Sequence, residues 1–172
     1  MIEALRAKIR DIPNFPKEGI LFRDITPLLL DPDAFRTAVG LIKERYAPKG
    51  IEVIAGVETR GLILASALAY ELSVGLAVMR KPGKLPYRTY KAAYALEYGT
   101  DALEIHQDAI KPGQKVLIVD DLLATGGTAA AAVELVQRLG GEVIGLAFLV
   151  ELTDLKGKER VQGQEVFSLI HF

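Results

Sequence analysis

Short apolar runs alternate with amphipathic stretches along most of the chain. The apolar runs predict strands at 53–57, 74–79, 116–119 and 143–150, with an edge strand at 167–170. The amphipathic stretches predict helices at 3–10, 34–46, 62–72 and 128–139, with Asp31 or Asp33 capping the second. Apolar strands that alternate with helices indicate a parallel sheet covered on both faces. Because ligands bind at the carboxyl ends of such strands, the loops after Val57, Met79 and Val119 should meet at one cleft.

The strongest chemical signal follows the strand at 116–119. An acidic pair, Asp120 and Asp121, precedes a turn of small residues that leads into a helix. The turn consists of Ala124, Thr125, Gly126, Gly127 and Thr128. Glycines let the backbone approach a phosphate, helix amides and hydroxyls can donate to it, and carboxylates can accept from sugar hydroxyls. A P-loop would need lysine where Thr128 stands, so the pattern predicts a different site for a phosphorylated sugar.

Residues 119–128 resemble the phosphoribosyl pyrophosphate (PRPP) motif of the type I phosphoribosyltransferases, and in particular of their adenine-specific members. This resemblance extends over 15–170. It implies the α/β type I fold, with a mostly parallel central sheet flanked by helices, a flexible hood loop and a small N-terminal base-binding region. A single phosphoribosyltransferase domain over 1–172 is expected. The resemblance places the 5′-phosphate in the turn at 124–128 and the ribose on the two aspartates.

The tetrapeptide Glu58-Thr59-Arg60-Gly61 follows the strand at 53–57. Its amides and Arg60 could receive a second anion, although taken alone the tetrapeptide slightly favours an ordinary turn. The resemblance implies a pyrophosphate loop with a cis peptide near Glu58-Thr59 and a catalytic Arg60. Thr59 and Leu62 depart from the residues that are frequent in the family.

The segment 80–86 places Arg80, Lys81 and Lys84 beside two prolines and a glycine. A solvated basic turn is the ordinary interpretation, but the segment lies at the carboxyl end of a strand, where anion binding is expected. The resemblance assigns the three cations to PRPP. It also implies that part of this segment reaches the site of a neighbouring subunit, and therefore a homodimer.

The stretch 87–103 is too polar and too rich in turn residues for a core element, so we expect a long loop that acts as a lid. In the family this region is the hood, and Glu97, Tyr98 and Gly99 match its Glu-Tyr-Gly. The resemblance makes Glu97 the candidate acid or base for the purine proton near N7 or N9. The alternative is an exposed hairpin carboxylate.

The segment 19–27 carries the candidate base site. Considered alone, Phe22 is better explained by simple packing. The resemblance implies an adenine site in which Phe22 and Arg23 face the base. There the backbone carbonyl of Leu21 would accept the 6-amino hydrogen bond, and a 6-oxo purine would be repelled.

Composition excludes several other functions. The sequence has no cysteine and two histidines, which excludes disulfides, thiolate catalysis and Cys-based metal sites. A net charge of −1 gives no footprint for nucleic acid. The apolar runs fall far short of the roughly 20 residues needed to span a bilayer. We therefore expect a cytoplasmic protein without nucleic-acid or membrane partners.

These patterns and the resemblance together predict a purine salvage enzyme that converts adenine and PRPP into AMP and pyrophosphate. Mg²⁺ is expected to bind with PRPP or pyrophosphate, with no certain protein ligand and with Asp120 and Asp121 acting through water. One alternative is a type I phosphoribosyltransferase for another base, such as xanthine or hypoxanthine. A second is a non-catalytic regulator that senses PRPP or purines.

Overall fold

The computed structural model describes residues 1–96 and 98–172. Within this part of the chain, the backbone divides into two units, Met1–Leu41 and Ile42–Phe172. None of its helices is long and apolar enough to cross a bilayer. The expectation of one domain over 1–172 stays a prediction.

The first unit contains short elements: α1 (Ile2–Arg6), β1 (Arg10–Pro13), β2 (Leu21–Asp24), α2 (Thr26–Leu30) and most of α3 (Pro32–Tyr46). The predicted helix at 3–10 is wrong beyond Arg6, because the chain from Arg10 pairs antiparallel with β2. The start of α3 is capped by Asp31, as one of the two predicted alternatives. Its Oδ1 accepts hydrogen bonds from the amides of Asp33 (3.1 Å) and Ala34 (3.0 Å).

The second unit is built on a mixed sheet. Its strands are β3 (Val53–Val57), β4 (Gly75–Arg80), β5 (Thr89–Ala95), β6 (Thr100–His106), β7 (Lys115–Leu123), β8 (Glu142–Glu151) and β9 (Val166–His171). Its helices are α4 (Arg60–Leu72) and α5 (Gly127–Arg138). Among the described residues the strand order is β5-β6-β4-β3-β7-β8-β9, and the strands from β4 to β9 in this order are parallel. The expected mostly parallel sheet, with an edge strand at its end, is therefore confirmed.

Both faces of this sheet are covered by helices. Val53, Ala55 and Val57 alternate along β3 and pack in one apolar cluster with the buried face of α5. Gly56 points to the other face, where an added Cβ would lie 2.6 Å from the Cβ of Ala65 in α4. Side chains of one strand thus alternate between the two helices, as the period of a strand requires.

The prediction of a long loop at 87–103 is wrong. This stretch forms most of an antiparallel hairpin, β5 and β6, and β6 pairs with β4 through Met79↔Ile105. Ala92 and Leu103 are buried, whereas alternate residues such as Lys91 are exposed. A half-exposed strand shows apolar residues at every second position only, so its overall polarity resembles that of a loop.

The strand predicted at 116–119 continues through the acidic pair to Leu123. Its register with β8 includes Leu122↔Val150 and Leu123↔Glu151. Backbone hydrogen bonds to a neighbouring strand do not depend on the charge of the side chains. A strand predicted from apolar residues alone therefore ends before the two aspartates, whereas the actual strand continues past them. The turn into α5 is correspondingly short.

Candidate active site

The loops after β3, β4 and β7 meet at the carboxyl edge of the sheet, as expected for parallel strands. They surround a cavity of about 490 Å³. Most of the predicted site residues line it, namely Arg60, Lys81, Asp120, Asp121, Ala124, Thr125, Gly126, Gly127 and Thr128. A single cavity therefore unites the acidic pair, the glycine turn and the loop with Arg60.

The glycine turn opens the N-terminus of α5. Gly126 is the residue before the helix and has φ +88°, in the left-handed region that favours glycine. Among the described residues no side chain caps this end of the helix. The first amides of a helix lack intrahelical acceptors and carry the positive end of its dipole. The arrangement leaves these amides available to an anion in the cavity.

The acidic pair lines the same cavity as this turn. The Asp121 carboxylate is buried and lies 2.7 Å from Nε of Arg60. Asp120 Oδ1 accepts a hydrogen bond from the amide of Asp121 at 2.8 Å. Burial of the carboxyl, and then the nearby charge of Asp121, raise the pKa of Asp120 well above its usual range. The carboxyl group of Asp120 is therefore harder to ionise than that of an exposed aspartate.

Gly61 explains how the two ligand-facing loops approach each other. A Cβ at this position would overlap Oδ1 of Asp120 and lie 3.0 Å from its Cα. Glycine at the first turn of α4 thus lets the loop after β3 pack directly on the end of β7. The predicted cis peptide between Glu58 and Thr59 is present in this loop.

Glu58 organises the basic segment and was missed as a site residue by the sequence analysis. Its buried carboxylate accepts from the amide of Lys81, lies 3.1 Å from Nε of Arg80 and 3.5 Å from Nζ of Lys84. Burial by itself raises the pKa of Glu58. The bonds from Lys81 and Arg80, with the two cationic charges, outweigh it and lower the pKa below 4.5. The sequence does contain a signal for this role, because Glu58 is a carboxylate placed directly after a buried strand.

Lys81 is held from the hairpin side of the cavity. Its Nζ donates to the hydroxyl of Tyr94 at 2.6 Å and forms an ion pair with Asp101. Partial burial lowers the pKa of Lys81, but these hydrogen bonds outweigh it and raise the pKa above 10.5. The predicted cations Arg80, Lys81 and Lys84 therefore all have carboxylate partners within the described residues.

The remaining predicted residues are Leu21, Phe22, Arg23 and Glu97. Leu21, Phe22 and Arg23 belong to β2 in the first unit, where the Phe22 ring meets Phe15 edge-on at 5.1 Å. Arg23 forms an ion pair with Asp11. Glu97 lies outside the described residues.

The donors in the cavity suit a magnesium ion carried by a ligand. Within the described part of the chain, no group of three or more His, Cys, Asp or Glu side chains could enclose a metal. Asp120 and Asp121 together offer carboxyl oxygens only. Mg²⁺ characteristically keeps several waters and binds through one or two carboxylates plus substrate phosphates, which fits this pair.

Comparison with known proteins identifies the class. Residues 30–171 match the protein-family model for the phosphoribosyl transferase domain. The chain therefore belongs to the phosphoribosyltransferase family, and the expected fold class is confirmed. The relatives that it resembles within this family are adenine phosphoribosyltransferases.

The similarity spans nearly the whole chain. The adenine phosphoribosyltransferase of Syntrophotalea carbinolica is 57% identical over 171 residues, which cover 99% of this chain and 100% of the relative. The crystal structure of the Thermoanaerobacter pseudethanolicus enzyme superimposes with a TM-score of 0.97 at 49% identity, covering 100% of both chains. That of the Saccharomyces cerevisiae enzyme, complexed with adenine and an imino-altritol bisphosphate, has a TM-score of 0.93 at 41% identity and covers 98% and 97%. The resemblance to the adenine-specific members is thus confirmed.

Proposed function

We propose that this protein catalyses the transfer of a phosphoribosyl group from PRPP to adenine, giving AMP and pyrophosphate in purine salvage. One observation carries the proposal. A glycine turn at a helix N-terminus, an acidic pair and a loop with Arg60 line one cavity in a chain 57% identical to an adenine phosphoribosyltransferase. The bisphosphate and adenine complexed with the yeast relative match the two kinds of ligand proposed here.

The 5′-phosphate is assigned to the turn at 124–128. The amides at the start of α5 would donate to its oxygens, with the hydroxyls of Thr125 and Thr128 as further donors. The ribose hydroxyls are assigned to Asp120 and Asp121. C1 of the sugar is assigned to the side of the cavity that the loop after β3 forms.

The pyrophosphate is assigned to Arg60, Arg80, Lys81 and Lys84. In the reaction adenine N9 forms a bond to C1 as the bond from C1 to pyrophosphate breaks, and the electron pair leaves with the pyrophosphate. Negative charge grows on this leaving group, where the cations stabilise it most. Arg60, which is paired with Asp121, is the proposed catalytic cation and is assigned a position between the sugar and the leaving group.

Magnesium is the proposed cofactor, bound with PRPP or pyrophosphate. Asp120 and Asp121 would hold it through its water shell. When bound, the ion supplies further neutralisation of phosphate charge.

Adenine is assigned to Leu21, Phe22 and Arg23, on the chemistry of their groups and on the family resemblance. A ring beside the base would supply stacking area. A backbone carbonyl accepts the 6-amino donor of adenine and repels the 6-oxo acceptor of other purines, which is the proposed basis of specificity.

Glu97 is the proposed general acid or base for the purine proton near N7 or N9. Glu97→Gln keeps the size and hydrogen-bonding capacity of the side chain but cannot exchange the proton. Turnover should fall about 100-fold or more while PRPP affinity stays nearly constant. Steady-state kinetics with a direct PRPP binding measurement test this, and unchanged turnover would remove Glu97 from the mechanism.

The overall proposal is tested by incubating the protein with PRPP, Mg²⁺ and each purine in turn, and identifying the nucleotide formed. AMP from adenine alone is expected. IMP or XMP would instead assign the protein to another base. Absence of any nucleotide, with PRPP still bound, would favour a non-catalytic sensor.

A homodimer in the cytoplasm completes the proposal. The family resemblance of the segment at 80–86 supports the dimer, and the cytoplasmic location rests on the sequence argument. Light scattering coupled to size exclusion should give twice the chain mass of 18.7 kDa. A mass of one chain would contradict the dimer.

A further inference from the structure

The glycine turn of the cavity has a second side, which packs on the segment 152–161 near the end of the chain. This segment, here called the buttress, contains the 3₁₀ helices Thr153–Leu155 and Gly157–Val161. It contributes no residue to the lining of the cavity. Its contacts nevertheless reach the backbone of the turn.

The contact between buttress and turn is made by two glycines. A Cβ on Gly157 would overlap the carbonyl oxygen of Ala124 and lie 2.9 Å from Cδ1 of Leu123. A Cβ on Gly126 would overlap the carbonyl oxygen of Gly157 and lie 2.8 Å from the Cβ of Arg160. The two backbones therefore lie directly against each other, and neither glycine has room for a side chain.

The buttress is itself firmly attached to the sheet. The amide of Leu152 donates to the carbonyl of Leu123 at 3.0 Å. Nζ of Lys158 lies 2.9 Å from Oε2 of the buried Glu151, and Val161 is part of the apolar core. The segment can therefore act as a fixed support behind the turn.

We infer that Gly157 is a positioning residue for the 5′-phosphate, which acts by holding the backbone from Ala124 to Gly126 in place. The inference rests on the proposed function. An anion site made of backbone amides works only when those amides are held in the bound geometry beforehand, because a loop that must be ordered on binding loses affinity. A methyl group at Gly157 would push on the carbonyl of Ala124 and displace the amides that follow it.

The test compares two buried glycines with ordinary φ, Gly157 and Gly145. A Cβ on Gly145 would lie 2.9 Å from the ring of Tyr46, near the amino end of β8 and away from the cavity. Gly157→Ala should raise the KM for PRPP about tenfold or more, with a smaller change in kcat and an adenine KM within about twofold. Gly145→Ala should lower the melting temperature but leave the KM for PRPP within about twofold.

Equal PRPP KM values for Gly157→Ala and the unaltered protein would overturn the inference. The same holds if Gly145→Ala raises the PRPP KM as much as Gly157→Ala does. Should Gly157→Ala fail to fold, Lys158→Met replaces it, since it removes the ion pair with Glu151. A rise in PRPP KM of about threefold is then expected, and no rise would overturn the inference.

Calorimetric titration with ribose 5-phosphate separates this inference from the proposed function. Weaker binding to Gly157→Ala than to Gly145→Ala supports the positioning role even if the unaltered protein makes no AMP. Formation of AMP together with equal ribose 5-phosphate affinities supports the proposed function and refutes the positioning role.

Discussion

The two walls that we propose to bind the anions of the substrate are built in different ways. The turn at 124–128 offers backbone amides and hydroxyls without a formal charge of its own, and Gly126 and Gly157 fit it against a fixed support. The wall formed by the loops after β3 and β4 offers long cationic side chains, each of which already has a carboxylate partner.

This difference indicates different relations to a ligand. The amides of the turn have their geometry before any phosphate arrives, so affinity there depends on shape. A pyrophosphate on the opposite wall must compete with Glu58, Asp101 and Asp121 for the same cations. The first wall is suited to hold one group throughout a reaction, and the second to accept and release another.

The largest effect should follow from Gly126→Ala, which breaks the preformed wall. Alanine at φ +88° is disfavoured, and its Cβ would meet Gly157 and Arg160. Together these effects should lower kcat/KM for PRPP roughly 100-fold or more. Steady-state kinetics at saturating adenine provide the measurement.

Gly163→Ala is the matched control, because Gly163 has φ +85° but nothing within 4 Å of an added Cβ. Gly163→Ala should lower the thermal stability by a similar amount, because alanine is equally disfavoured at this φ. It should leave kcat/KM for PRPP nearly unchanged. Equal losses of kcat/KM in both variants would show that packing behind the turn is unimportant.

Two substitutions in the wall formed by the loops after β3 and β4 should change the affinity for pyrophosphate by a smaller factor and in opposite directions. Arg80→Gln removes a cation and should weaken pyrophosphate binding about tenfold. Glu58→Gln removes the competing carboxylate of Arg80 and Lys84 and should strengthen pyrophosphate binding a few-fold. Calorimetry with pyrophosphate measures both, and AMP serves as the control ligand because it lacks the second anion. If the affinities for AMP and for pyrophosphate change in parallel, the proposed difference between the two walls is contradicted.

The smallest expected effect is a change in how the folding stability depends on pH. The hydrogen bond from Lys81 lowers the pKa of Asp101 below 3.8, more than burial raises it. A carboxyl with a lowered folded-state pKa stabilises the fold above its unfolded pKa, and this contribution disappears as pH falls through the folded value. Asp101→Asn should therefore lower the urea midpoint at pH 7 and differ less from the unaltered protein near pH 3. A constant difference across this range would contradict the ion pair, and Asp108→Asn, at an exposed site, is the control.

The sequence predicted the glycine turn and the central strands because their signals are local. Val53–Val57 is apolar throughout, and the residues from Asp120 to Thr128 carry their chemistry in one continuous run. Arg60 and Lys81 could be placed at the same cleft because parallel strands end at a common edge.

The features that sequence reasoning missed depend on contacts between distant segments. The buttress depends on the fold, which places Gly157 behind Gly126 although the two are distant along the chain. Glu58 acquires its role from cations more than 20 positions away, at Arg80 and Lys84. The sequence predicts a loop where β5 and β6 lie because the exposed face of β5 carries a charge and small residues, Lys91, Ala93 and Ala95, between the residues that pack on the core.

Strands β3 and β7 are neighbours in the sheet. Their spacing therefore contributes to the distance that a ligand must span to contact both walls. The strands pair in parallel through Gly56↔Val119, and Gly61 then lies against Asp120. Neighbouring strands are about 4.8 Å apart, a spacing fixed by backbone hydrogen bonds. Exchanging side chains can therefore change how tightly each anion would be held, but it leaves the spacing of the two strand ends unchanged. A substrate with a different separation of its anions would have to be matched by the loops and their side chains, because the strands themselves cannot move apart.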